Sequence, residues 1–225
     1  LPYVHRRFWK EWMGAIKKEY PDLRVVGELF DGDPALVSFY QGGEARFDGV
    51  DSGVDTLFDF PTYFKVRDAF AKGGSLRDVA MMLARDHLYE DASSLVTFLG
   101  LHDVPRFMNE PGAKVASLKS AFTFLATARG TPLVYYGDEI ALPGGGDPDN
   151  RRDFPGGWKG AARSAFEAAD LERLEYVLVI LDYEGGLPPI DEQPIACPSD
   201  GTLPEGESPC FASPRPSTKP ASPKP

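Results

Sequence analysis

The sequence predicts an α/β fold built around a parallel sheet, and three observations support this prediction. Short apolar segments typical of buried strands alternate with longer segments that have the apolar periodicity of helices. The predicted order is helix–strand–helix–strand–helix–helix–strand–helix–strand, and such alternation places helices outside a parallel sheet. The 225 residues are 42% hydrophobic, which is enough for a substantial core. About four strands are half of a (β/α)8 TIM barrel, which takes about 250 residues, so we expect either a partial barrel or a smaller open sheet.

Local signals predict the first elements. Residues 6–20 form an amphipathic pattern that Pro21 ends, and a short apolar strand follows over residues 23–30. Residues 31–34 combine turn residues with a helix N-cap, which predicts a short helix over residues 34–41. The apolar face of the first helix is expected to consist of Phe8, Trp12, Ala15 and Ile16.

The middle of the chain is predicted to contain a strand and two helices. Residues 54–60 alternate apolar and polar residues as a half-buried strand does. Pro61 suits the first turn of a helix that runs to about Ala71. Ser75 is a candidate N-cap for a second helix that extends to about Tyr89.

The last predicted elements are a strand, a helix and a strand, over residues 95–99, 115–129 and 132–136. The first of these strands must end before Pro105, because proline cannot donate to a β-ladder. Gly130 suits the position just after the helix, where a glycine often ends the last turn.

The sequence divides into three parts. Residues 1–168 contain all of the predicted strands, and residues 169–184 fit a further helical segment. Residues 185–225 are rich in Pro, Gly and Ser and lack an apolar pattern. Such a composition buries too little surface to offset the entropy of ordering. We therefore expect an extended or disordered tail there.

Charge and cysteine content argue against several kinds of partner. The net charge is −10, whereas nucleic-acid binding relies on clustered Lys and Arg. No segment approaches the eighteen or so apolar residues of a membrane span. Cys197 and Cys210 have no second pair at metal-binding spacing, so no zinc site is expected; a disulfide and two free thiols both remain open.

Acidic side chains follow three of the predicted strands: Glu28, Asp103 and the pair Asp138–Glu139. In a barrel the carboxyl ends of the strands meet on one face, so Glu28 and Asp103 are expected to face a common pocket. Glycoside hydrolysis needs such a pair, because one carboxyl group must hold a proton while another stays ionised. Taken alone, an isolated His-Asp pair is more often structural, with Asp103 capping a turn and His102 hydrogen-bonding nearby backbone.

Three segments resemble the α-amylase family (glycoside hydrolase family thirteen). Residues 26–31 (VGELFD) resemble the segment with the acid/base glutamate, and residues 98–107 resemble the His-Asp segment. Residues 130–140 and 147–153 resemble the eighth strand and the loop after it. The resemblance covers residues 1–168 and implies the carboxyl-terminal half of a barrel. Leu101 stands where the family has Asn, a change expected to weaken hydrogen bonding in its loop.

The resemblance also implies roles for individual residues. Glu28 would be the general acid/base, and Asp103 would be the carboxylate that stabilises the transition state and binds sugar hydroxyls. His102 would donate a hydrogen bond to the same sugar.

Arg106 and the loop over residues 149–152, in particular Asp149 and Arg152, are expected to bind substrate at the sugar-binding end. Surface ion pairs are the alternative interpretation for them.

The family's nucleophilic aspartate would lie a couple of residues before Leu1, by the same resemblance. We therefore expect this polypeptide to be a fragment or a processed product that is inactive, or nearly so, on its own. No charged-then-apolar leader precedes the first helix, so no signal peptide is expected.

The resemblance implies a retaining glycosidase or transglycosylase that acts on α-glucans or maltooligosaccharides. A non-catalytic carbohydrate-binding or interaction protein is the alternative, and a truncated product that folds poorly is a third. No cofactor is expected of this chain. Calcium is common in the family, but its usual ligands come largely from the other half of the barrel, so calcium remains open for a full-length parent.

Overall fold

Four short parallel strands lie at the centre of the fold. The structure is a computed structural model, and it describes residues 1–155. The strands are β1 (Val26–Gly27), β2 (Thr56–Leu57), β3 (Val96–Phe98) and β4 (Thr131–Leu133). The predicted helical segment at 169–184 and the predicted tail at 185–225 lie outside the described residues.

The strands follow one another in space in the order of the sequence. β1 pairs with β2 and β3 pairs with β4, each in parallel register. A parallel bridge between Phe58 and Val96 joins the two pairs, and the amide of Asp59 donates to the carbonyl of Val96. Consecutive strands of a (β/α)8 barrel are arranged in this way. The predicted partial barrel is therefore confirmed, although each strand is shorter than the sequence pattern indicates.

Within residues 1–155, five α-helices accompany the strands. They are α1 (Arg6–Glu19), α2 (Pro34–Ser38), α3 (Phe60–Ala71), α4 (Leu76–Leu83) and α5 (Val115–Thr127). The side chains of Asp33 and Ser75 accept hydrogen bonds from the first turns of α2 and α4, which confirms the N-caps predicted there. Asp59 caps α3 in the same manner, with the amide of Thr62 as donor.

The helix predicted over residues 75–89 is shorter in the structure. α4 ends at Leu83, and a separate 3₁₀ turn follows over Asp86–Leu88. The guanidinium of Arg129 binds the carboxylate of Asp86 through two hydrogen bonds of 2.9 and 2.6 Å. Tyr89 then enters the core, where 7% of it is exposed. These tertiary contacts outweigh the helical pattern of the sequence.

Two of the four residues predicted to form the apolar face of α1 are exposed. Phe8 and Ala15 are exposed, whereas Met13 is only 2% exposed. Met13 packs where the chain passes close to the helix at Gly53, where an added Cβ would lie 3.1 Å from the Met13 Cβ. Arg6 is also buried, because its guanidinium donates to a carboxylate and a carbonyl in the loop before β2.

A mainly aromatic cluster lies directly beneath the segment that follows β3. Its buried members are Phe60, Tyr63, Phe98, Leu101 and Val104. Tyr63 and Phe98 stack with their ring centroids 4.7 Å apart. Leu101 and Val104 flank the pair His102–Asp103, so burial of these two apolar side chains orients the two polar ones outward. The core therefore positions the candidate site.

Candidate active site

Glu28 directly follows β1 and is exposed at the carboxyl end of the sheet. Its side chain forms no hydrogen bond with any residue in the described part of the chain. Its backbone carbonyl accepts a hydrogen bond of 2.7 Å from the amino group of Leu1. Partial burial lowers the pKa of that amino group, and the nearby Glu28 carboxylate opposes this shift. The Glu28 carboxylate is therefore accessible to solvent and is not fixed by a hydrogen bond from any described residue.

His102 and Asp103 lie beyond the end of β3, with side-chain exposures of 58% and 37%. His102 Nε2 and Asp103 Oδ2 are 3.2 Å apart. The other carboxylate oxygen of Asp103 accepts a hydrogen bond of 3.1 Å from Arg151. Arg151 also donates to the carbonyl of His102 at 2.9 Å. Both polar side chains thus face solvent from a turn that Arg151 supports.

Residues 99–106, which we call the β3 turn, are held from the helix side by Arg67. This α3 residue is 2% exposed, and its guanidinium donates to the backbone carbonyls of Leu99, Pro105 and Arg106. It also forms an ion pair with Glu110. The hydrogen bonds that fix this turn come in part from a helix rather than from the residue at position 101, where the family has Asn.

Arg106 and Asn150 hold the β3 turn from the opposite side, and we call this pair the Arg106–Asn150 latch. Arg106 Nε donates to the carbonyl of Asn150 at 2.9 Å, and its Nη1 donates to the carbonyl of Tyr136 at 2.6 Å. Asn150 Nδ2 donates in return to the carbonyls of His102 and Val104, at 2.7 and 3.0 Å. Both latch residues have 0% exposure.

Arg106 was expected to bind substrate, but its side chain is fully buried. A side chain with no exposed surface does not reach a sugar while the loops hold this arrangement. Its guanidinium also lies against the rings of Tyr135 and Tyr136, at 4.6 and 4.7 Å from their centroids. Arg106 therefore joins the segment after β3 to the segment after β4. Because its side chain is buried, Arg106 does not form the surface ion pair that was the alternative interpretation.

Asp138 is a buried acidic residue that lies next to Arg106 of the latch. It is 3% exposed, and its Oδ1 lies 3.5 Å from Nη1 of Arg106. Burial raises the pKa of Asp138 to about 7, although Arg106 acts in the opposite direction. Its Oδ2 has no hydrogen-bond partner among the described residues.

Asp149 and Arg152 lie on the surface of the loop after β4. They form an ion pair of 2.9 Å, in which both side chains are about half exposed. Asp149 also accepts a hydrogen bond of 2.6 Å from the amide of Gly145, and Arg152 donates to the carbonyl of Pro143. The pairing matches the ion-pair alternative, and the expected sugar contacts remain a prediction.

The structure brings Glu28, His102 and Asp103 to the same edge of the sheet. β1 and β3 are separated by β2 alone, so their backbones lie about 10 Å apart given the usual spacing of strands. A gap of this width between strand ends is large enough to hold a sugar ring. The arrangement therefore suits chemistry on a ligand held between the two strand ends.

Nothing in the sequence pattern indicates Arg67, and Asn150 stands out only as one member of the candidate loop over residues 149–152. Both side chains donate to backbone carbonyls. Every residue has a backbone carbonyl, so a pattern of side-chain types does not reveal such partners. Asn150 lies within the segment that resembles the loop after the eighth strand, but its polar type alone does not distinguish it from its neighbours.

Two further observations concern the described residues only. Between residues 1 and 155, no group of three or more His, Cys, Asp or Glu side chains is arranged to hold a metal ion. No helix in that part of the chain is long and apolar enough to cross a membrane.

The family model for the α-amylase catalytic domain matches residues 2–167. The chain belongs to the α-amylase family. This confirms the resemblance inferred from the three sequence segments.

Individual α-amylase relatives match the chain over part of their length. The β/α-amylase of Paenibacillus polymyxa is 38% identical over 137 residues, which are 58% of this chain and 11% of the relative. The maltogenic α-amylase of Bacillus acidopullulyticus is 34% identical over 154 residues, 66% of this chain and 24% of the relative. The chain thus spans less than a third of the length of these relatives.

Solved α-amylase structures share the fold. The Anoxybacillus α-amylase superimposes with a TM-score of 0.64 and 33% identity, covering 79% of this chain and 36% of that one. The Geobacillus thermoleovorans α-amylase in complex with acarbose gives a TM-score of 0.62 and 31% identity, covering 77% and 36%.

Proposed function

We propose that this chain is the part of a retaining α-glucan hydrolase or transglycosylase that supplies the general acid/base, Glu28, and a transition-state-stabilising carboxylate, Asp103. The observation that carries the proposal is the placement of both carboxylates, exposed, at one edge of a parallel sheet. Membership of the α-amylase family and the similarity to an α-amylase that binds acarbose support an α-glucan or maltooligosaccharide as the substrate.

The two carboxylates suit different steps of the reaction. Glu28 has no competing hydrogen bond from a described side chain, so it is free to donate a proton to the glycosidic oxygen and to take one back from water. Asp103 is held by Arg151 and His102 at a fixed position. There it accepts hydrogen bonds from sugar hydroxyls and stabilises the oxocarbenium-like charge as the bond breaks.

The nucleophile of a retaining mechanism is a third carboxylate. Asp59 and Asp138 also follow strands, but both are buried beside arginines, Arg129 and Arg106. Neither is accessible to a sugar carbon. The proposal therefore takes the nucleophile from the preceding barrel strand, as the resemblance implies, and the chain alone is expected to give little or no turnover.

The experiment uses the chain in a completed barrel. The part of the Anoxybacillus α-amylase that precedes its matched region is fused to Leu1, and maltoheptaose hydrolysis is measured. We expect the fusion to turn over substrate, and Glu28→Gln to lower kcat by about 10²- to 10⁴-fold, with acarbose binding retained. Glu44→Gln removes a carboxylate that is 62% exposed in the loop between α2 and β2, and it should leave kcat unchanged.

Each contrary result has a defined meaning. Full activity of the Glu28→Gln fusion would remove Glu28 from the role of acid/base. A folded fusion that binds acarbose without turnover would favour the non-catalytic carbohydrate-binding alternative. Rapid hydrolysis by the chain of 225 residues alone would contradict the external origin of the nucleophile.

A further inference from the structure

The contacts of Asn150 connect two segments that are distant in sequence. Its side-chain amide donates to the carbonyls of His102 and Val104, 48 and 46 residues away. These carbonyls lie on either side of Asp103. Because both hydrogen bonds end on the backbone, they fix the path of the β3 turn whatever the rotamers of His102 and Asp103 are.

The position of Asn150 is itself fixed by a buried arginine. Arg106 donates to the carbonyl of Asn150 and to the carbonyl of Tyr136, so its guanidinium spans both segments. The amide of Arg106 donates in turn to the carbonyl of Gly144 at 2.9 Å. Each segment thus holds the other, and a shift of the loop after β4 must move the β3 turn.

We infer that Asn150 is a positioning residue, which acts through the β3 turn to hold Asp103 where the proposed reaction needs it. The inference rests on the proposed function and names a residue that touches no substrate, since Asn150 has 0% exposure. A displacement of a catalytic group by about 1 Å can lower the rate of an enzyme about 100-fold. Loss of the two hydrogen bonds should therefore reduce catalysis without removing any group that contacts sugar.

The test variant is Asn150→Asp, which keeps the shape of the side chain but replaces the donating amide by a carboxylate. Two carbonyl oxygens would then face an acceptor, which loosens the turn. The matched control is Asn109→Asp. Asn109 is exposed in the neighbouring 3₁₀ turn, and its side chain forms no hydrogen bond with a described residue.

The first measurement is amide hydrogen exchange in the chain of 225 residues, which needs no enzymatic activity. We expect the amides of Val104 and Arg106, which donate to Leu101 and Gly144, to exchange at least about 10-fold faster in Asn150→Asp. The amides of α3 and the Asn109→Asp control should not change. Unchanged exchange at Val104 and Arg106 would overturn the inference.

The second measurement is steady-state kinetics of the fusion on maltoheptaose, with active sites counted by acarbose titration. We expect kcat per active site to fall about 10- to 100-fold in Asn150→Asp, with KM changed less than about 3-fold. A variant that merely unfolds loses active sites and keeps kcat per site. An undiminished kcat per site beside accelerated exchange would overturn the positioning role.

Two further arms separate the possible failures. Asn150→Ala removes both donated hydrogen bonds without adding a charge, so its kcat per active site should fall as that of Asn150→Asp does; a kcat per site equal to that of the wild type would contradict the hydrogen-bond explanation. A wild-type fusion that is folded but inactive would contradict the proposed function, whereas hydrogen exchange would still decide whether Asn150 holds the β3 turn.

Discussion

The segments after β1 and after β3 carry the two proposed catalytic carboxylates, yet they are built differently. After β1, Glu28 lies exposed with no hydrogen bond from a described side chain. After β3, the turn is fixed by Arg67 on one side and by the Arg106–Asn150 latch on the other. An acid/base group must exchange protons with water and substrate, whereas a group that stabilises charge works best when preorganised. The difference in support therefore matches the difference in proposed role.

The largest expected effect comes from Arg67→Met, which removes the support of the β3 turn on the helix side. Three carbonyls and the Glu110 carboxylate would lose a buried partner. We expect the free energy of unfolding to fall by about 3–5 kcal/mol, as measured by urea denaturation. Arg24→Met is the control before β1. Its side chain is 78% exposed, and its loss should cost less than about 0.5 kcal/mol. Equal losses in both variants would contradict the comparison.

A second prediction concerns the pH dependence of stability at the latch. The pKa of Asp138 is raised to about 7 from its ordinary value of 3.8, so the folded state favours the neutral acid. Its contribution to the free energy of unfolding therefore decreases as pH rises from about 4 to 7, by at most about 1.4 kcal/mol for each pH unit. Asp138→Asn should flatten the pH profile over this range. A profile equally steep in both proteins would assign the slope to other groups.

Leu101→Asn tests whether the apolar core under the β3 turn is required. Leu101 is 3% exposed within the cluster that contains Phe98 and Val104. An amide placed there without a partner should lower the free energy of unfolding by about 1–3 kcal/mol. Leu76→Asn is the control, at a position that is 61% exposed. Unchanged or increased stability of Leu101→Asn would show that the amide finds hydrogen bonds in this chain.

The smallest expected effect is that of Glu28→Gln on stability. Its carboxylate is exposed and accepts no hydrogen bond from a described side chain, so the free energy of unfolding should change by less than about 0.5 kcal/mol. Thermal unfolding of the chain measures this directly. A loss above about 1 kcal/mol would mean that Glu28 has a structural partner, and it would weaken the contrast between the two segments.

Much of the fold could be predicted from the sequence because its signals are local. The N-caps at Asp33 and Ser75 and the alternation of strands and helices depend on neighbouring residues. The errors arose where distant contacts prevail. α4 ends early where Arg129 binds Asp86, and Met13 of α1 is buried because the segment around Gly53 packs against it. Neither contact is visible in a local pattern.

In the candidate site too, the residues with local sequence signals could be predicted and those that depend on distant contacts could not. Glu28, His102 and Asp103 were found because acidic and polar residues directly follow predicted strands and match family segments. Arg106 was found for its charge, but its burial was not expected. Arg67 could not be predicted, and Asn150 only as part of the loop over residues 149–152, because their partners are backbone carbonyls contributed by other segments.

The latch also bears on the order of folding. Arg106 and Asn150 are 44 positions apart, so the hydrogen bonds between them close a long loop that includes α5 and β4. Closing such a loop costs entropy that only the surrounding native contacts repay. During synthesis the β3 turn therefore acquires these hydrogen bonds only after a segment 44 residues downstream of Arg106 has left the ribosome, and the edge of the sheet that carries Asp103 is completed only then.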